Sequence, residues 1–224
     1  MTKESVQRFS SLAILSAALL SSSGTFASIV YDNSTSDLNR SYAPANGVEF
    51  GDEIFLAGSD RVITDFRFET FLSAAPSGNE TGQLIFRLND GAVLSPGRNA
   101  PGTEFYRSAT FNLGVGRQTV VASGFSIAVP GGANNFTWSV VLNGIDGTEQ
   151  AGLLLYDPPT TGSSYSDFWQ NNAGTWQTLL VDSGATPANF AAKITAVPEP
   201  GTLALGALGA LTLVGYLGYR RRGA

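Results

Sequence analysis

The sequence predicts an all-β fold, an antiparallel β-sandwich with jelly-roll-like connections, and three observations carry that prediction. Segments through the middle of the chain alternate apolar and polar residues with a period of two, the signature of half-buried strands. Turn-forming residues separate those segments at short intervals. No stretch of the same region keeps an apolar period of 3.6 residues over three helical turns.

In chain order, VEFGDEIFLAG (48–58) opens the series of strand candidates, with the neighbours Asp52 and Glu53 facing opposite ways. RVITDFRFETF (61–71) sets Phe66 and Phe68 on one face and Asp65, Arg67 and Glu69 on the other. In QLIFRLNDG, Leu84, Phe86 and Leu88 oppose Ile85, Arg87 and Asn89. TEFYRSATFNL (103–113), QTVVAS (118–123) and GFSIAVP (124–130) come next. NFTWSVVLNG then alternates Phe136, Trp138, Val140 and Leu142 with Thr137, Ser139, Val141 and Asn143. QAGLLLYD (150–157), YSDFWQ (165–170), TWQTLLVD (175–182) and ANFAAKITA (188–196) complete the set. Asn89-Asp90-Gly91, Gly131-Gly132, Asn143-Gly144, Asp146-Gly147 and Pro158-Pro159 supply the turns.

Both ends read as processing segments. Lys3 and Arg8 precede the apolar run FSSLAILSAALL, and small residues come after it, the pattern of a secretory signal peptide. Cleavage between Ala27 and Ser28 leaves an ectodomain over 28–196, after a signal peptide over 1–27. Near the other end, Pro198-Glu199-Pro200 precedes the uncharged run from Thr202 to Tyr219, and Arg220, Arg221 and Arg222 come directly after that run. The run is 18 residues long, about 27 Å as a helix, enough to cross a thin bilayer. The arginines act as a stop-transfer signal and stay cytoplasmic by the positive-inside rule. The final segment is therefore 197–224.

Composition narrows the chemistry. The chain has no cysteine and no histidine, and its sole methionine is Met1. A disulfide framework, a thiolate metal site, a cysteine nucleophile and a Ser-His-Asp triad are all excluded. The ectodomain carries sixteen acidic against eight basic residues, so a phosphate backbone is no partner for it. A glycosidase would need two carboxylates at suitable spacing. Asp65 and Glu69 share a face, but four residues at about 3.3 Å rise separate them by about 13 Å, too far. Arg67 between them reads as part of a solvated charge ladder. The expectation is a non-enzymatic protein without metal or cofactor, and NGIDGTE (143–149) reads as a hairpin turn, not a calcium loop.

One binding feature stands out. In SDFWQNNAGTWQTLLV, a four-residue turn over 171–174 would set Trp169 opposite Trp176. Asp167, Thr178 and Leu180 share their face, while Phe168, Leu179 and Val181 form the more apolar face, which packs in the core. The tryptophans then lie on the outer side. There they either contact carbohydrate, with Asp167 beside them, or are covered by a neighbouring loop and serve packing alone.

The tail VPEPGTLALGALGALTLVGYLGYRRRGA resembles the PEP-CTERM sorting signal of Gram-negative bacteria: Pro-Glu-Pro, a membrane helix and a short arginine cluster. The resemblance implies recognition by an exosortase, a transient inner-membrane anchor, and transfer to the cell surface or extracellular matrix, with extracellular polysaccharide as a possible partner. Less closely, YDNSTSDLNRSYAP, FWQNNAGTW and PANFAAKITA resemble choice-of-anchor R domains, which bring no known catalytic residues. The alternative to a non-enzymatic surface protein is a carbohydrate-binding or glycoside-hydrolysing sandwich displayed by the same tail.

Overall fold

The computed structural model describes residues 26–73, 77–95 and 97–199. Residues 1–25 of the expected signal peptide, Pro200, the apolar run and Arg220–Arg222 lie outside those residues. Among the described residues there is no α-helix, and no helix is long and apolar enough to cross a membrane.

Two antiparallel sheets make up the body of Ala27–Val197. The first contains β1 (Ser28–Asn33), β2 (Asp37–Tyr42), β4 (Val62–Leu72), β10 (Gly116–Ala128), β12 (Ala151–Tyr156) and β16 (Ala192–Val197). The second contains β3 (Glu49–Phe55), β5 (Thr81–Arg87), β8 (Glu104–Arg107), β9 (Phe111–Asn112), β11 (Asn135–Asn143), β13 (Ser163–Ser164), β14 (Phe168–Asn172) and β15 (Thr175–Leu179). A small ribbon of β6 (Val93–Ser95) and β7 (Arg98–Asn99) stands apart from both. In the second sheet the main order is β15-β14-β3-β11-β5-β8. In the first, β10 runs along one edge of β4, while β16 and then β12 share its other edge. β1 flanks β16, and β2 flanks β12.

Alternation explains which side of each sheet is buried. Phe66 and Phe68 of β4 point inward and meet Trp138 of β11, with ring centroids 5.2 and 5.6 Å apart. Phe66 also lies 5.1 Å from Phe86 of β5. Phe190, just before β16, packs against Phe50 of β3 at 5.7 Å and Phe168 of β14 at 5.5 Å. All of these rings are buried. They form one continuous core between the sheets, so the sandwich is held by interdigitated aromatic side chains.

Several elements differ from the sequence reading. QTVVAS and GFSIAVP are one strand, β10, which shifts register against β4 between Ser123 and Ile127. Gly124, with φ of 77°, supplies the left-handed residue there. The shift changes which side chains face the core: Val120 and Ala122 before it, Phe125 and Ile127 after it. TEFYRSATFNL breaks into β8 and β9. The 143–149 segment is not a hairpin, because it joins β11 in one sheet to β12 in the other. β1 and β2 carry too little alternation to stand out in sequence.

Close backbone approach at Gly51 ties β3 to β11. A Cβ there would collide with the Trp138 carbonyl oxygen and the Ser139 Cα. Replacing Gly51→Ala should therefore cost about 1–3 kcal/mol by overpacking. Phe66→Ala should cost about 3–5 kcal/mol by opening a core cavity. Urea denaturation of both variants against the parent checks the two values; a Gly51→Ala variant as stable as the parent would contradict the packing.

Candidate functional site

The hairpin of β14 and β15 places the tryptophans singled out by sequence. Its turn is two residues long, Ala173-Gly174, with φ of 51° and 90°, the type that matches strand twist. Trp169 therefore pairs with Thr178, and Trp176 with Asn171. The expected Trp169–Trp176 cross-strand pair does not form. The slip is two residues, and side chains alternate with a period of two, so both indoles still point to the outer face. Phe168 and Leu179 still point to the core.

The outer face is not open at Trp169, which is 0% exposed. Arg98 of β7 reaches across it. The guanidinium centre lies 5.0 Å from the Trp169 ring and 4.0 Å from the Tyr165 ring. The same guanidinium donates to both oxygens of Asp167 at 2.7 Å, and its Nε donates to Glu53 at 3.0 Å. Glu53, 2% exposed, also accepts from Asn135 Nδ2 at 2.9 Å and from Trp169 Nε1 at 3.4 Å. Burial alone would pull the Arg98 guanidinium down; Asp167 and Glu53 outweigh that and hold it above its ordinary value. Asp167 is thus held by the arginine that lies over Trp169, as part of the clamp that seals the indole.

A second clamp lies further along the same sheet. Arg87 donates to Glu49 at 2.8 and 3.1 Å and to Glu104 at 3.1 Å. Ser139 Oγ donates to Glu49 at 2.7 Å. The Arg87 guanidinium centre sits 5.8 Å from the ring of Trp176, which is half-buried. Hydrogen bonding from Arg107 outweighs burial and lowers the Glu104 carboxyl below its usual range. Glu49 and Glu53 sit four residues apart on one face of β3, each engaged by an arginine. Neither clamp offers a carboxylate free of an arginine partner.

The other carboxylate of β3 behaves differently. Asp52 points into the core opposite Trp138, is 1% exposed, and has no hydrogen-bond partner on either oxygen. Trp138 Nε1 is also without one. Burial drives the Asp52 carboxyl well above its ordinary range; the nearby Phe190 backbone N–H opposes this, and repulsion from Asp167 and Glu53 adds to it. Asp52 is accordingly the carboxyl of the core whose anionic form burial disfavours.

On the opposite sheet, Phe71, Leu154, Tyr156 and Ala191 form a small outward apolar cluster. Tyr156 donates to Glu69 at 3.0 Å and accepts from Arg117 at 3.0 Å. Burial and the Glu69 carboxylate push the Tyr156 hydroxyl up to about 12. Shallow grooves of about 280 and 320 Å³ flank this network. Arg67 donates to Asp65 at 3.0 Å, the charge ladder expected of that strand.

In the 143–149 segment, Glu149 accepts from the backbone N–H of Ser77 at 2.8 Å and of Asp146 at 3.0 Å. Its carboxylate closes the inter-sheet connection. Among the described residues no group of three or more acidic side chains is gathered as for a metal ion.

The positions expected to flank the two processing steps lie near one end of the first sheet. Ser28, the first residue of β1, pairs with Ala196 of β16, and Ala27 beside it is exposed. Pro198 and Glu199 come directly after Val197, where β16 ends. Residues 196–222 match the PEP-CTERM protein-sorting motif. A motif of this kind implies processing by an exosortase at the membrane. The chain matches no curated protein and no solved structure.

Sequence reading missed Arg98, Tyr165, Glu53 and the Arg87–Glu49 pair. Arg87 could have been placed on the outer face by alternation, but its partner lies 38 residues away in sequence.

The buried charges make two expectations measurable. Arg98→Met should destabilise by about 3–5 kcal/mol, because it strands Glu53 without its cation. Arg40→Ala, which breaks an exposed pair with Asp182, should cost less than about 1 kcal/mol; chemical denaturation separates the two. The second concerns Asp52. Its folded pKa is raised, so its contribution to stability is fully present below the unfolded value of about 4 and is lost as pH rises toward the folded value. Asp52→Asn should flatten the fall in stability above pH about 4, read as melting temperature against pH; an unchanged profile would mean the carboxyl is not protonated in the native state.

Proposed function

We propose that this protein is an exported, non-enzymatic surface or extracellular-matrix β-sandwich. Its tail holds it briefly in the inner membrane until an exosortase releases the ectodomain. One observation carries the reading: the sorting motif begins at residue 196, inside the last strand of the folded domain. Pro198 and Pro200 lack backbone N–H groups and bias the residues before them toward extended geometry. The peptide around Glu199 is thereby suited to presentation to a protease. Arg220–Arg222 retain the tail before cleavage, and signal cleavage between Ala27 and Ser28 starts the mature chain at β1. The resemblance to choice-of-anchor R domains belongs to the same reading, as does the absence of a catalytic role.

A carbohydrate-binding role is the second reading, and Trp176 favours it. Its ring is half-buried beside Arg87 and paired with Asn171 on the outer face. Aromatic rings beside polar groups suit sugar stacking at an exposed patch. Trp169 has no part in it, since Arg98 lies over its ring and the side chain is fully buried.

Intact-mass analysis of the mature protein from a host with an active exosortase tests the sorting reading. The expected mass begins at Ser28 and lacks the residues after Pro200. Recovery of mature protein that retains LGYRRRGA at full stoichiometry would refute it. Titration of Trp176 fluorescence with the host exopolysaccharide tests the second reading: a saturable change lost in Trp176→Ala supports it, and no change removes it.

A further inference from the structure

β10 is a long strand with one side unused. Its 13 residues pair only with β4, whose opposite edge is taken by β16 and β12. Among the described residues, no backbone hydrogen bond joins Gly116–Ala128 to any other segment. The strand therefore presents a row of free N–H and C=O groups to solvent.

The other sheet edges are protected in ways β10 is not. β8 carries Glu104 and Arg107, and β2 carries Asp37 and Arg40. The outer side of β1 is covered by backbone bonds between Asp32 and Thr161 at 3.0 Å and between Ala57 and Val30 at 2.8 Å. β15 is five residues long and β9 two. From Gln118 to Ala128 there is no charge and no proline, although lysine and proline are usual means of keeping an edge single; the register shift, another such means, begins only after Ser123 and leaves Gly116–Ser123 regular. Val121 points outward there at 50% exposure.

We propose that β10 is an interface at which a second copy of this chain adds in antiparallel register, joining two six-stranded sheets across a two-fold axis at Val121. A second copy is the occupant the strand itself favours. Antiparallel self-pairing must keep outward residues opposite outward residues, so paired positions have the same parity up to the register shift after Ser123. Centring the axis on Val121 satisfies this: Val121 meets Val121, Thr119 meets Ser123, and Val120 meets Ala122. Two half-exposed valines cover one another, and hydroxyl residues face hydroxyl residues, both favourable cross-strand pairs. The domain as a whole is acidic, so two copies repel over most of their surfaces. The uncharged edge is where they can approach, and Arg117 falls beyond the paired stretch. The interface is isologous and closes as a dimer.

The chain has no cysteine, so Val121→Cys introduces a unique thiol without altering the core. Paired strands bring opposed Cα atoms to about 4.5–5.5 Å, within the span of a disulfide. Oxidation with copper phenanthroline of cells bearing the full chain should give a disulfide dimer at several times the yield of Ser41→Cys on β2 or Thr175→Cys on β15. Adding Thr119→Lys and Ser123→Lys to the Val121→Cys chain should reduce the yield to that of the two controls. Each new lysine faces a carboxylate of its own chain, Glu69 or Asp65, so the fold is not opposed, but across the axis lysine meets lysine. The proposal is overturned if Val121→Cys dimerises no better than the controls, if the lysines leave its yield unchanged, or if the thiol links instead to a different protein.

Discussion

The contact of Phe66 and Phe68 with Trp138 is where the two sheets lock, and β4 makes that contact possible. β4 carries neighbours along both edges for most of its length, and through them it positions β10, β16, β12, and indirectly β1 and β2. Its inward rings fix the distance to the second sheet, and its outward residues hold the charge ladder. The core opposite is supplied by β11, which sits between β3 and β5 in the same way. Two central strands, each paired on both sides, thus bear the aromatic packing, and nothing covalent supports it. The chain contains no cysteine, so its cohesion is burial, hydrogen bonding and ion pairing.

The polar interior is organised by β3, the neighbour of β11. It presents Glu49 and Glu53 to the outer face, where Arg87 and Arg98 meet them beside the rings of Trp176 and Trp169. It presents Asp52 to the core, where no arginine bonds to it. Adjacent residues of one strand, of nearly identical chemistry, therefore live under opposite rules. The two outward carboxylates are satisfied by arginine, while the inward one has no cation, so burial raises its pKa. The clamps close the outer face over Trp169 and leave Trp176 at its margin, which is why only the second indole has a place in a binding hypothesis.

How much of this is legible in the sequence depends on the range of the interaction concerned. The faces of β4, β5, β11 and the β14–β15 hairpin follow from alternation, a local property. The hairpin shows why such assignments are robust: its turn has two residues where four were expected, yet a slip of two returns every side chain to its expected side. Sheet partners are another matter. The 143–149 segment carries hairpin turn residues but joins two sheets, because turn chemistry specifies a bend and not its destination. Gly124 hides a register shift inside one strand that reads as two. Arg98 finds Asp167 across 69 positions of sequence, and a single sequence has no signal for such a pairing. The sorting motif lies at the other extreme, since Pro198-Glu199-Pro200, the apolar run and the arginines are read as consecutive letters.

The position of β16 has a mechanical consequence. Any tether built on the tail pulls along this strand, which lies between β1 on one side and β4 on the other. Tension that enters at Val197 and runs along the strand axis loads both hydrogen-bond ladders in shear, so the bonds must yield together instead of opening singly from one end. Resistance to such pulling is set by the unfolding rate and not by equilibrium stability. A domain sewn into its sheet by its last strand can resist a pull at its end even when its thermal stability is ordinary.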